Sequence, residues 1–202
     1  MVTIIDYGMG NIASIENMLY YLGVKSTISS DPYIINNAKR IILPGVGSFN
    51  SAIDKINKID GLKEVLNQKA IIQKVPILGI CLGMQLLTNS SEEGNSKGFG
   101  WISGKTKKFN AINNLKVPHM GWNTVSFNKK DKILEGLAPN QKYYFVHSYY
   151  VEVTNENNSL MKSNYGIDFD SGISDKNIYG FQFHPEKSHK YGMSILKNFS
   201  KL

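Results

Sequence analysis

The sequence predicts an α/β fold: a mostly parallel open sheet with crossover helices, plus antiparallel strands. Three observations lead there. Up to Leu87, short β-branched apolar runs alternate with stretches of helical periodicity, the grammar of a parallel sheet crossed by helices. Beyond Trp101, strand-like runs follow one another through turns rich in Asn, Gly and Lys, which favours antiparallel pairing. Between them, Gly79-Ile80-Cys81-Leu82-Gly83 marks a sharp strand-to-helix turn. No internal repeat, long linker or low-complexity stretch divides the chain, so a single domain over residues 1–202 is expected.

Val2 to Ile5 is a β-branched apolar run that reads as a buried strand. Ile12, Ile15, Met18, Leu19 and Leu22 recur at helical spacing, and Gly23 stops that helix. A second strand is expected over Lys25 to Ser29. Asp31-Pro32 opens a short polar helical segment. Arg40 to Leu43 is a third strand, ending at Pro44-Gly45-Val46-Gly47. Ser51 to Ala70 is mostly helical in pattern. Pro76 to Ile80 is a fourth strand, leading through Cys81 into a short apolar helix up to Leu87. In the later half, Trp101 to Phe109, Asn123 to Phe127, Tyr143 to Tyr150 and Ile178 to Phe183 read as strands.

A chain of 202 residues that is 42% hydrophobic and 19% charged has enough apolar material for a packed core, which excludes disorder for the whole chain. No stretch reaches the roughly 18 to 20 apolar residues of a membrane span. Met1 to Asp6 enters the first strand without a basic-then-apolar leader pattern, so the cytoplasm is the expected location and no membrane partner is expected. The net charge of +7 raises nucleic-acid binding. Yet Lys105, Lys107, Lys108, Lys129, Lys130 and Lys132 are scattered beside Asn and Ser in loop-like segments, and no basic helix emerges. A solvated surface explains them, and no nucleic-acid partner is expected.

Cys81 is the only cysteine, so no disulfide within the chain is possible. An inert buried thiol is the ordinary reading of a lone cysteine; its surroundings point elsewhere. In G-x-C-x-G, glycines two residues to either side remove side chains that would clash as the strand turns into the helix. The turn holds the sulfur at the carboxyl end of a parallel strand, where open α/β sheets form ligand crevices. It also sets the thiol at a helix N-terminus, whose partial positive charge favours thiolate. The N–H of Leu82, one residue on, is a natural oxyanion donor.

Phe181-Gln182-Phe183-His184-Pro185-Glu186 reads as a half-buried strand stopped by Pro185. His184 and Glu186 are two apart, which in an extended segment puts both on one face. A carboxylate beside an imidazole selects its tautomer and stabilises the imidazolium formed when a cysteine gives up its proton. A surface strand end and a metal ligand are the other readings of His184. No HExxH or CxxC pattern supports a metal, and none is expected, nor any cofactor. Pro44-Gly45-Val46-Gly47 follows a strand and can turn N–H groups into a crevice. It matches neither phosphate-loop pattern, and beside a Cys elbow it reads as a second oxyanion donor through Val46.

These segments together resemble the triad class (class I) of glutamine amidotransferases, which implies a flavodoxin-like sheet. Val117-Pro118-His119-Met120-Gly121-Trp122-Asn123, Tyr144-Phe145-Val146-His147-Ser148-Tyr149, Glu186-Lys187-Ser188 and Asp6-Tyr7-Gly8-Met9-Gly10-Asn11 narrow the resemblance to the glutaminase subunits of imidazole glycerol phosphate synthase, in histidine biosynthesis. The resemblance implies hydrolysis of L-glutamine to glutamate and ammonia, used by a (β/α)₈-barrel cyclase subunit. It implies Cys81, His184 and Glu186 as the catalytic residues, with Val46 and Leu82 as oxyanion donors. Gly47, Gln85, His147, Ser148 and Tyr149 would line the glutamine pocket, and Asn11, Met120, Tyr144 and Lys187 would face the partner. Two segments depart from that pattern. Ser188-His189-Lys190-Tyr191-Gly192-Met193 resembles a branch that serves a sugar amidotransferase in surface-polysaccharide synthesis, and Asp168-Phe169-Asp170-Ser171-Gly172-Ile173 departs from the histidine-branch pattern without such a likeness. A catalytically degenerate interaction subunit would lack a triad member, and all three are present.

Overall fold

The computed structural model describes residues 1–110 and 115–202. Its strands are β1 (Val2–Ile5), β2 (Ser26–Ser29), β3 (Ile41–Leu43), β4 (Ile77–Ile80), β5 (Ser90–Ser91), β6 (Gly104–Lys108), β7 (His119–Phe127), β8 (Gln141–His147), β9 (Tyr149–Val153), β10 (Ser159–Asn164), β11 (Asp168–Asp175) and β12 (Ile178–Phe181). The helices are α1 (Ile12–Tyr21), α2 (Pro32–Asn36), α3 (Phe49–Lys58), α4 (Leu62–Asn67), α5 (Leu82–Leu86) and α6 (His189–Phe199). The main sheet runs β2-β1-β3-β4-β12-β11-β10-β7-β8. Strands β2, β1, β3, β4 and β12 are mutually parallel. From β11 onward the neighbours are antiparallel. Beside this path β9 pairs with β11 and β6, and β6 with β5.

The inner parallel strands β1, β3 and β4 read as largely apolar runs because both their faces are covered. Ile5, Ile41, Leu43 and Ile77 join Phe49, Ala52, Ile56, Leu62 and Leu66 of α3 and α4 in one core. Val2, Ile4, Ile42, Leu78 and Ile80 join Ile15 and Leu19 of α1 and Ile195, Leu196 and Phe199 of α6 in the other. Asp31 caps α2 by accepting from the Tyr33 N–H at 2.8 Å, with Pro32 at the first helical position.

Several boundaries differ from the sequence expectation. The helical stretch over Ser51 to Ala70 is parted where Gly61 takes a left-handed conformation (φ +74°), and its second helix, α4, runs on into a π-helical turn over Gln68–Ile72. The run expected over Tyr143 to Tyr150 breaks at Ser148 into β8 and β9. The run expected over Ile178 to Phe183 ends at Phe181. It is also not half-buried: Phe181, Gln182 and Phe183 are all fully enclosed, because β12 lies inside the sheet between β4 and β11. Strands β10 and β11 and helix α6 were not anticipated.

The position of β12 brings the distant ends of the chain together. It lies parallel to β4, with Ile77 opposite Ile178 and Ile80 opposite Phe181. The next N–H, that of Cys81, donates to the Phe181 carbonyl at 2.8 Å. The segments carrying Cys81 and His184 therefore leave the sheet side by side at the carboxyl ends of neighbouring strands, the place where open α/β sheets hold ligands.

Candidate active site

Cys81 sits between β4 and α5 with φ +54° and ψ −111°, a positive-φ conformation that costs a non-glycine residue energy and persists only where packing enforces it. The enforcement comes from its flanking glycines. A Cβ on Gly83 would stand 1.9 Å from the Leu43 carbonyl oxygen, and one on Gly79 would stand 2.6 Å from the Gly83 carbonyl oxygen. The elbow is thus wedged against β3 as closely as backbone allows. Cys81 is 6% exposed. Its thiol donates to the Val146 carbonyl at 3.8 Å and accepts from the Gln182 side-chain amide at 3.7 Å.

His184 and Glu186 meet, although not along a strand. Pro185–Lys187 is a 3₁₀ turn with the proline at its first position, which its fixed φ suits. The turn brings His184 Nδ1 to 2.8 Å from Glu186 Oε1, with both side chains almost wholly buried. A carboxylate only accepts, so Nδ1 carries the proton and Nε2 is left without a hydrogen-bond partner among the described residues. Burial acts to lower the His184 pKa, but the nearby Cys81 sulfur and the hydrogen bond and charge of Glu186 outweigh it and push it up to about 10. The backbone of His184 is clamped as well. Its N–H donates to the Tyr144 carbonyl at 2.9 Å, and Ser188 Oγ donates to its carbonyl at 2.7 Å while accepting from the Tyr144 N–H at 3.0 Å.

One cavity of about 300 Å³ gathers Val46, Gly47, Cys81, Leu82, Gln85, His147, Ser148, Tyr149 and His184. Every sequence-predicted catalytic, oxyanion and pocket residue lines it except Glu186, which lies behind His184. A larger open depression of about 820 Å³, bordered by residues 127 to 137, holds none of them. Around the mouth, the Pro44–Gly47 loop is anchored by Tyr7, whose hydroxyl donates to the Pro44 carbonyl at 2.7 Å. Val46 itself is half exposed, Gly47 has φ +103°, and the Val46 and Leu82 N–H groups have no protein acceptor among the described residues.

Met120 and Trp122 project outward from β7. Trp122 lies over His189 with ring centroids 5.6 Å apart and planes nearly parallel, and meets the Tyr144 ring edge-on at 6.2 Å. Lys187 Nζ stands 5.9 Å above the Tyr144 ring. Asn11 precedes α1, which packs on the Pro185–Lys187 turn, and a Cβ on the adjacent Gly10 would touch Pro44.

A model of the family described as glutamine amidotransferase class-I matches residues 3–202. The chain belongs to that family. Among curated relatives, imidazole glycerol phosphate synthase subunit HisH 2 of Methanococcus maripaludis is 53% identical, with 100% of this chain and 99% of that protein aligned. The protein of the same designation in Pseudomonas aeruginosa is 45% identical over the full length of both. HisH 1 of Methanococcus maripaludis is 43% identical, again over both full lengths. A solved glutamine amidotransferase structure aligns with a TM-score of 0.78 over all of both chains at 14% identity. PurLQS from Thermotoga maritima aligns with 0.74 over 99% of this chain and 97% of that one, at 15% identity. Those two likenesses are of fold.

Sequence reasoning missed several residues of this class I amidotransferase site. Glu93, Pro118 and Val146 also line the cavity, and Ser188 clamps the histidine. His119 and His147, 28 residues apart in the chain, bring Nδ1 and Nε2 to 2.8 Å of each other in the core. His147 Nδ1 donates to the Tyr149 carbonyl at 2.6 Å, which leaves its Nε2 to accept from His119. Burial pushes His147 down to about 3 and His119 down to about 4, so both are neutral near pH 7. The β7–β8 register, with His119 opposite His147, makes the pair. Gln85 is 4% exposed, its amide donating to the Tyr149 carbonyl and to Gln182.

Proposed function

We propose that this chain is the glutaminase subunit of an imidazole glycerol phosphate synthase, hydrolysing L-glutamine and passing ammonia to a (β/α)₈-barrel cyclase. The observation that carries the proposal is full-length identity of 53% to a subunit of that enzyme, joined to a Cys–His–Glu constellation around one cavity.

The chemistry follows from the geometry. Cys81 thiolate attacks the side-chain amide carbon of glutamine, and the carbonyl oxygen takes up negative charge. The N–H groups of Leu82 and Val46, which lack acceptors among the described residues, stabilise that oxyanion. His184 gives a proton to the amide nitrogen, the C–N bond breaks and ammonia departs, leaving a γ-glutamyl thioester. Water then attacks the thioester, His184 takes its proton, and glutamate leaves with the thiolate restored. Glu186 holds the histidine tautomer that makes Nε2 the working nitrogen. The face carrying exposed Met120 and Lys187 with partly buried Asn11 and Tyr144 receives the partner, beside the exit for ammonia.

A second reading keeps this chemistry and changes the client to a sugar amidotransferase. It is favoured by one observation: in an organism with two such subunits, the chain is 53% identical to HisH 2 and 43% to HisH 1. A duplicated glutaminase is free to serve another synthase. Co-expression with each candidate partner, followed by purification and an ammonia-transfer assay, decides the matter. The main proposal expects a stable complex and glutamine-dependent product only with the cyclase; product only with the sugar enzyme overturns it.

A further inference from the structure

Gln182 has no role in the proposed thioester chemistry, yet it touches the reacting atom. Its side chain is wholly buried just past the end of β12, where an unpaired amide would cost free energy. Both ends are engaged. Nε2 lies 3.7 Å from Cys81 Sγ, and Oε1 accepts from Gln85 Nε2 at 3.1 Å.

The direction of these bonds is forced. The Tyr149 carbonyl can only accept, so Gln85 must turn its NH₂ toward it, at 3.2 Å. The second N–H of that same nitrogen reaches Gln182, which must therefore present its oxygen. That leaves the Gln182 NH₂ facing the sulfur. Flipping Gln182 would set two donors face to face and aim a carbonyl lone pair at the nucleophile. The Tyr149 carbonyl is itself held by His147 Nδ1 at 2.6 Å, so the amide orientation is anchored two links away from the sulfur.

We propose that Gln182 is a catalytic residue of this centre, donating a side-chain N–H to the Cys81 sulfur and so stabilising the thiolate where the sulfur is largely buried. The sulfur has two neighbours of opposite character. The Val146 carbonyl accepts from the thiol and suits only the protonated form; Gln182 can donate to either form and bonds the charged one more strongly. In a buried site the donor takes the place that water would otherwise fill. The inference rests on Cys81 being the nucleophile of the proposed glutaminase reaction.

Cys81 is the only cysteine in the chain, so alkylation by iodoacetamide followed against pH reports this one group. Gln182→Met, close in size and unable to donate, is expected to move the midpoint of that profile up by about 1 pH unit. In complex with the partner synthase it should lower kcat for glutamine about 10-fold, with KM changed far less, the range expected for one hydrogen bond to a charged group. A merely structural role would leave the alkylation midpoint in place, and that result overturns the proposal. Should Gln182→Met fail to fold, the unsubstituted protein answers: the Gln182 side-chain amide proton must shift in NMR with the Cys81 titration, and its indifference overturns the proposal equally. Cys81→Ala separates the two claims. Glutamine hydrolysis surviving in Cys81→Ala defeats the nucleophile assignment. Its loss, with Gln182→Met behaving as the parent, defeats only the role of Gln182.

Discussion

Replacing Gly83 by Ala tests how the elbow works, because the structure gives the size of the disturbance. The new Cβ would stand 1.9 Å from the Leu43 carbonyl oxygen and 2.9 Å from its carbonyl carbon, where contacts under 3.0 Å are not sustained. The obstacle is backbone and cannot rotate aside. Strand β3 and helix α5 must therefore part by about 1 Å, the gap between 1.9 and 3.0 Å. Leu43 leads directly into Pro44-Gly45-Val46 and Gly83 follows Leu82, so both proposed oxyanion donors move relative to Cys81. A misplacement of about 1 Å can cost 10²-fold in rate, and overpacking of this kind costs about 1–3 kcal/mol of stability. The expected variant folds, melts a few degrees lower, roughly 2–4 °C per kcal/mol for a chain of this size, and turns over glutamine about 10²-fold more slowly. Steady-state ammonia release with the partner present, alongside thermal melts, measures both. Turnover within twofold of the parent would refute the reasoning, since the wedge would then not position the donors.

Three other perturbations have defined outcomes. Glu186→Gln leaves the turn intact but replaces an acceptor-only carboxylate with a neutral amide that can also turn an NH₂ to the imidazole, so the His184 tautomer is no longer fixed and kcat should fall by about 10²–10⁴-fold with little change in Tm; a loss below fivefold in the ammonia assay contradicts the assignment. If the Val46 peptide points away from the cavity until a partner docks, glutaminase turnover should rise about 10²–10³-fold on adding the synthase, whereas equal rates with and without it reject that control point. His119 and His147 are held neutral with folded values near 4 and 3, below the ordinary 6.5. Their contribution to stability is therefore present above about pH 6.5 and lost as pH falls through 4 and 3; denaturant midpoints taken from pH 7 down to 4 should drop, and a rise over that window contradicts their neutral burial.

What is legible in the sequence depends on what each element has to bury. Strands β1, β3 and β4 are enclosed on both faces and show as short runs dominated by Ile, Val and Leu. Strands β10 and β11 hide because buried polar residues interrupt their buried apolar ones, Leu160, Met161, Phe169 and Ile173. Ser159, Ser163, Asp170, Ser171 and Ser174 are enclosed, and a run such as Asp-Phe-Asp-Ser-Gly reads as a turn until its partners are known. Ser159 Oγ donates to Asp170 Oδ1 at 2.5 Å and the Val153 N–H to Oδ2 at 3.0 Å, pairings between strands that composition cannot reveal. Helix α6 starts at His189 with φ +46° and no side-chain cap, so it lacks the start signal by which α2 announces itself.

The candidate site divides the same way. The elbow and the His-Pro-Glu turn carry their geometry locally, in glycines and a proline, and so stand out in the chain. Gln182, Ser188 and the His119–His147 pair act across strands. Their roles depend on β12 lying beside β4 and on the β7–β8 register, neither of which a local pattern fixes.

The proposed glutaminase requires Cys81 to form a covalent bond to glutamine carbon. Rapid acid quenching of the chain with its partner and glutamine, followed by mass analysis of the peptide bearing Cys81, measures this directly. A γ-glutamyl thioester is predicted on that cysteine, absent in Cys81→Ser and accumulating when His184 is replaced by Asn. Glutamine turnover at full rate with the Cys81 peptide never carrying the adduct would contradict it.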